Sequence, residues 1–306
     1  MKSFSGVPRS DLKVEGAAVE SLELAGKKVA IVGGTGGIGR AFAQVLAGRG
    51  AQVTVVGQTF RDQNVAGLMF VKADLSLMRE ARRVAKALPA EELDLLILTS
   101  GIIAAPKREV TAEGLERDLA VSYLSRLTIV RELGARLGQG RPASAPKPRV
   151  FVMGFPGTGQ KGNPEDLNSE KVYESMATHM YTVAGNEALV LDAVARYPNA
   201  NFFGLNPGLI KSNIRSNALG GEGSFKHRLV EGLIGLVMIS TDQYAARIAP
   251  VLVSSKLEQH SGAMFNQKGQ AILASPELLP GQVSALIAAS ERLLTRAEAA
   301  SVQALH

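Results

Sequence analysis

The chain has 306 residues, a formal net charge of +6 and no cysteine, which excludes a disulfide framework, a thiolate zinc site, an iron–sulfur cluster and a cysteine nucleophile. Hydrophobic content of 46% against 20% charged residues is the balance of a globular chain that buries a core rather than of a disordered one. The pI is near 9.5, yet the basic residues are scattered among acids and do not interleave with aromatics, so no nucleic-acid partner is expected.

Pro8, Asp11, Glu15, Glu20 and Glu23 interrupt any apolar segment of signal type near the start, and residues 1–24 read as a loosely packed extension. The longest clean apolar stretch, Gly232 to Ile239, is far below the ~20 residues of a bilayer crossing. A cytoplasmic protein without a membrane span is therefore expected.

From Lys27 onward, short β-rich runs alternate with helical patterns, the signature of βαβ units around a parallel sheet. Strands are predicted at Lys28–Val32, Val53–Val56, Met69–Lys72 and Leu93–Thr99, all buried, with helices at Ile38–Gly48 and Leu77–Leu88. Helix Gly114–Leu137, strand Arg149–Met153, helix Ser175–Tyr197 and strand Phe202–Leu205 continue the alternation. The break at Gly138–Pro148 is a surface loop, not a linker. The expected fold is a single α/β domain over residues 25–306, a doubly wound parallel sheet of Rossmann type with helices on both faces.

Between the first strand and the first helix lies Val32-Gly33-Gly34-Thr35-Gly36-Gly37-Ile38-Gly39. A dinucleotide's pyrophosphate must approach backbone N–H groups and the positive end of a helix closely, and a Cβ would hold it off. The glycines at 33, 37 and 39, placed after a strand and opening a helix, are the context such a fingerprint requires.

This loop resembles the TGxxxGIG of the short-chain dehydrogenase/reductase family, with its Thr changed to Val32. Further landmarks fall in the same order: Asp74-Leu75 after the third strand, Leu98-Thr99-Ser100-Gly101 in place of NNAG, Asn206-Pro207-Gly208 after the sixth strand, and Ser212 in place of a Thr. The resemblance covers roughly Lys27 to Ser212 and, more loosely, the segment Ser261–Pro276. It implies that Gly33, Thr35, Gly36, Gly37, Ile38 and Gly39 hold the pyrophosphate and that Asp74 and Leu75 meet the adenine. It likewise implies that Ser100 and Gly101 let the nicotinamide ribose pass and that Pro207, Gly208 and Ser212 line the carboxamide. A helix N-terminal carboxylate is the alternative role of Asp74.

Cofactor choice is read at the end of the second strand, where an acid would bind the 2′-hydroxyl of NAD and a basic residue the 2′-phosphate of NADP. Gly57-Gln58-Thr59-Phe60-Arg61 contains no acid. Gln58 stands where NADP-using relatives often place Arg, and Thr35, Arg40 and Arg61 are left to meet a 2′-phosphate. NADP(H) is expected ahead of NAD(H).

The family's chemistry needs a tyrosine, a lysine four residues later, a serine at the end of the preceding strand and an asparagine on the long helix. Tyr181 matches the tyrosine, but the lysine position is Gly185, the serine position Gly154 or Phe155, and the asparagine position Ser122. Tyr181 and Ser122 are thus the catalytic candidates. His179 reads as solvated or capping, Glu187 as an exposed helix carboxylate and Lys211 as a surface lysine. Gly185, inside a helix, suggests either that something approaches the backbone there or that the helix is locally irregular, and a lysine at that position is expected to fit sterically if cofactor and tyrosine sit as in relatives. No metal ligand set is expected.

The apolar, glycine-hinged segment of about 213–240 reads as a substrate lid or a packed core helix, and Gly154–Asn168 as the other pocket wall. Three functions stay open. One is an oxidoreductase, pairing as a homodimer, that moves hydride between NADP(H) and the carbonyl or alcohol of a hydrophobic small molecule. The others are a catalytically degenerate dinucleotide-binding protein and a non-redox enzyme using the same pocket.

Overall fold

In the computed structural model the described residues are 6–14, 17–208, 210 and 239–303. Lys211, Ser212 and nearly all of the expected lid lie outside them.

Runs rich in valine, isoleucine and leucine form strands that pack helices on both faces, the pattern of a parallel sheet. Strand β1 (Lys28–Val32) leads into helix α1 (Gly37–Gly48), then β2 (Gln52–Gly57), β3 (Leu68–Lys72), α2 (Met78–Ala87) and β4 (Leu95–Leu98). The next helix starts as α3 (Arg117–Leu119), widens into a π turn at Ala120–Leu124 and continues as α4 (Ser125–Leu133). Then follow β5 (Arg149–Met153), α5 (Ser175–Arg196), β6 (Asn201–Leu205), α6 (Thr241–Val253), β7 (Met264–Phe265), β8 (Ala271–Ile272) and α7 (Pro280–Gln303). The sheet order is β3-β2-β1-β4-β5-β6-β7-β8, parallel except for β8, which runs antiparallel to β7. One apolar cluster joins the sheet to α2, α4, α5 and α7; the other joins it to α1 and α6. This is the doubly wound α/β fold expected.

Four expectations change. Strand β3 is not buried: it is the sheet edge, with Met69 and Lys72 exposed, because no strand among the described residues lies beyond it. The N-terminal segment is not loosely packed. Its backbone pairs with β8 through Arg9 N to Ala271 O and Leu273 N to Val7 O, both 2.8 Å, and Leu12 and Leu24 are buried. The helix expected from Gly114 begins at Arg117, because the Glu116 side chain caps it by accepting the Leu119 amide at 2.7 Å. Finally, α6, β7, β8 and α7 extend the domain beyond the predicted elements; α6 opens with a reciprocal capping box between Ser240 and Gln243.

Candidate functional site

The strand order reverses between β1 and β4, where adjacent chains leave in opposite directions, and in such sheets ligands bind outside the carboxyl ends of the strands at that point. A cleft of about 380 Å³ opens there. Of the expected residues it gathers Gly33, Thr35, Gly36, Gly37, Ile38, Gly39, Ser100, Gly101, Ser122 and Pro207, and it adds Arg126, Met153, Phe155, His179, Thr182, Val183 and Asn186.

The glycines of the first loop do different work. Gly33 (φ +88°) lies against the Ser100 backbone and Gly39 against the Gly33 carbonyl and Thr99, so a Cβ at either would collide. These two let loop, helix and β4 close together. Gly36 and Gly37 (φ +49°) face open space, with nothing within 4 Å of where a Cβ would stand. They precede and open α1, whose N-cap Gly36 supplies no capping side chain, so its first amides stay available to an anion. Ser100, which lines this cleft, is 6% exposed, and its hydroxyl has no partner among the described residues.

Gln58, Asp74, Leu75, Arg61 and Gly208 do not line the cleft. Gln58 and Asp74 border a separate depression with Arg79 and Arg83. Burial pushes the Asp74 carboxyl up, but hydrogen bonds from the Ser76 amide (3.0 Å) and hydroxyl (2.8 Å) and from Gln58 hold it below the ordinary range. These bonds close a turn ahead of α2, whose first amides, Met78 and Arg79, donate to Glu113 instead. Arg61 is exposed. Arg40 is not free to meet a phosphate: it forks onto Asp62 at 2.8 and 2.6 Å, and Gln44 adds a third bond to the same carboxylate.

Helix α5 departs most from expectation. The face it turns to the cleft carries His179, Thr182, Val183 and Asn186, spaced three and four apart as one helix face must be. Tyr181 is off that face, half-buried against the apolar cluster beneath the helix. Gly185 is also off it. A Cβ at Gly185 would sit 2.7 Å from the ring of the fully buried Tyr123, so the close approach is real but comes from the core, and a lysine would not fit. Two pairs at i and i+4 face the cleft, His179 with Val183 and Thr182 with Asn186.

Asn186 is fixed by donating to Ser122 O and Thr182 O, both 2.8 Å, and by accepting from Arg126 at 2.9 Å. The Arg126 guanidinium also donates to Ser100 O and Met153 O. Among the described residues it has no carboxylate in direct contact. Burial pushes its pKa down to about 9, against the pull of Asp118. Glu187 is buried rather than exposed, accepting from the Ser275 amide, the Ser275 hydroxyl (2.8 Å) and the Gly157 amide (3.1 Å). It ties the loop after β5 to the segment before α7.

His179 is neither solvated nor a cap. Its Nδ1 lies 2.7 Å from Oδ2 of Asp118, a carboxylate with no exposed surface, whose other oxygen accepts from Ser122 Oγ. The Ser122 hydroxyl in turn accepts the Ile102 amide at 3.0 Å. The serine expected as a catalyst is thus committed to holding Asp118.

Residues 27–142 match the family described as short chain dehydrogenase. An uncharacterized oxidoreductase of Saccharomyces cerevisiae is 49% identical over 283 residues, 91% of each chain. Human retinol dehydrogenase 12 is 28% identical over 214 residues, 65% of this chain and 66% of that one. A crystal structure of an uncharacterized protein from Mycobacterium paratuberculosis superposes with a TM-score of 0.65 at 21% identity, over 91% of this chain and 97% of that one. With the glycine loop at the switch point and a relative matched along nine-tenths of both chains, this chain belongs to the short-chain dehydrogenase/reductase family.

Proposed function

We propose that the chain is an NAD(P)(H)-dependent oxidoreductase that interconverts a carbonyl and an alcohol on a hydrophobic small molecule. One observation carries this reading: a cleft at the switch point where Gly36 and Gly37 face open space above free helix amides while the buried Ser100 hydroxyl has no partner among the described residues. The residues present therefore suit a pyrophosphate at the loop and a ribose or carboxamide near Ser100, Gly101 and Pro207. When bound, the nicotinamide would supply or accept the hydride. Ile102, Met153, Phe155 and Val183 give the cleft apolar walls, which exclude water and suit an apolar substrate.

NADP(H) is the preferred cofactor in this reading. The first carboxylate after β2 in the sequence, Asp62, is already neutralised by Arg40, and Arg61 remains exposed for a 2′-phosphate. The reading also has the enzyme act in the cytoplasm, as a homodimer. No helix among the described residues is long and apolar enough to cross a membrane.

Calorimetric titration with NADPH and NADH tests it. Micromolar binding of NADPH, at least about tenfold tighter than NADH, is expected, and binding of neither would overturn it. A second reading, a dinucleotide-binding protein without turnover, is favoured by the Tyr123 ring that fills the space a lysine at 185 would need. Carbonyl-dependent oxidation of NADPH separates the two.

A further inference from the structure

We propose that His179, oriented by Asp118, is the group that gives a proton to the substrate oxygen and takes it back. This rests on the oxidoreductase reading.

Three observations carry it. His179 lines the same cleft as the glycine loop, whereas Tyr181 packs against the core. Its Nδ1 is held at 2.7 Å by Asp118, which leaves Nε2 as the free nitrogen, and among the described residues Nε2 has no hydrogen-bond partner. The imidazole is 14% exposed, open enough to be reached from the cleft, while Asp118 is completely buried. A carboxylate without solvent is costly unless it is fully engaged. Asp118 is engaged on both oxygens, by His179 and by Ser122, and Ser122 is itself anchored by the Ile102 amide. An imidazole whose one nitrogen is fixed by a carboxylate has a defined tautomer and a directed second nitrogen.

The charged groups around this pair are Glu116, the helix cap two residues before Asp118, and Arg126, the guanidinium on α4 whose field reaches Asp118. Tyr173 also feels the Asp118 charge.

In the reductive direction hydride arriving at the carbonyl carbon forms the C–H bond, and the π pair of the C=O bond moves to oxygen. The proton on Nε2 of the imidazolium closes that pair into an O–H, leaving a neutral imidazole with Nδ1–H on Asp118. In the oxidative direction neutral Nε2 takes the alcohol proton as hydride leaves carbon for the oxidised nicotinamide. The dinucleotide is the only redox partner required, and solvent restores the proton at Nε2.

The test uses the full-length protein, NADPH, and a panel of straight-chain aldehydes and aryl ketones. His179→Gln should lower kcat by about 10²- to 10⁴-fold, remove one ionisation from the kcat/KM profile, and leave the calorimetric affinity for NADPH unchanged. Tyr181→Phe should stay within about threefold of wild type. A readout independent of turnover is the ¹⁵N spectrum of the imidazoles in the ligand-free protein: His179 should carry its proton on Nδ1 at high pH, and Asp118→Asn should abolish that preference. Undiminished kcat in His179→Gln, or an Nε2–H tautomer, would overturn this proposal alone. A wild-type protein that binds NADPH but reduces none of the panel would overturn the oxidoreductase reading and this proposal with it.

Discussion

The ring of Tyr123 rests on the backbone of Gly185, so that a Cβ at 185 would lie 2.7 Å from Cδ1 and Cε1. The ring cannot easily withdraw, because it is fully buried and its hydroxyl is joined to Ser290 Oγ at 2.8 Å. Replacing glycine by alanine inside a helix gains about 1 kcal/mol of propensity, whereas overpacking a core costs about 1–3 kcal/mol. The clash should win. Gly185→Ala is expected to lower the unfolding free energy by about 1–2 kcal/mol in urea titration, and Gly185→Lys to yield little folded protein. A Gly185→Ala variant more stable than wild type would mean that the ring moves.

Arg126 joins three acceptors, Ser100 O, Met153 O and Asn186 Oδ1. Arg126→Met removes a buried charge but leaves these oxygens without a donor, each costing about 1–3 kcal/mol when it stays dry. We expect a net loss of about 2–3 kcal/mol in stability and weaker dinucleotide binding, since Ser100 and Met153 border the cleft. Unchanged denaturation midpoints would show that water replaces the guanidinium.

Glu187 sets a pH dependence whose sign follows from its burial. Burial raises its carboxyl above the ordinary 4.5, against the hydrogen bonds it accepts from Ser275 and Gly157. A raised carboxyl favours the folded state fully below the unfolded value, and that advantage is lost as pH rises through the folded value. Wild type should therefore gain stability relative to Glu187→Gln as pH falls from neutral towards 4.5. Denaturant unfolding of both proteins at several pH values measures it, and a gap that moves the other way refutes it.

Arg40 and Asp62 bear on cofactor choice. Hydrogen bonding to Arg40 holds the Asp62 carboxyl below its ordinary range, against the push of burial. Asp62→Ala frees the Arg40 fork, so affinity for NADPH should rise about threefold to tenfold with little change for NADH, one charge-assisted hydrogen bond being worth about 1.5–3 kcal/mol before screening. Arg61→Ala should lower NADPH affinity selectively. Equal responses of the two cofactors would place the 2′-phosphate elsewhere.

The fold was legible wherever one local pattern decided the outcome. Lys28–Val32 followed by Gly33 to Gly39 can only be a buried strand turning tightly into a helix, and so it is. Strands β7 and β8 have two residues each, too short for any period, and exist because β6 and residues 7–9 offer them partners. The cleft face of α5 is not legible in the sequence, because Tyr181 satisfies a motif while Tyr123 packs on Gly185 and the cleft side carries His179, Thr182, Val183 and Asn186. His179 and Asp118 stand 61 residues apart, and no local pattern joins them. The buried acid at 118 was the available hint, since a carboxylate one turn before Ser122 lies on the same helix face.

The π turn at Ala120–Leu124 fixes the register of everything after it. A regular α-helix advances about 100° per residue, so residues eight apart drift by roughly 80° around the axis. The wider turn takes up part of that drift, which allows Asp118, Ser122 and Arg126 to serve one cleft from a single helix. Deleting one residue at Val121 would straighten the helix and swing Arg126 away from Asn186, dismantling the pocket floor without altering any residue that lines it.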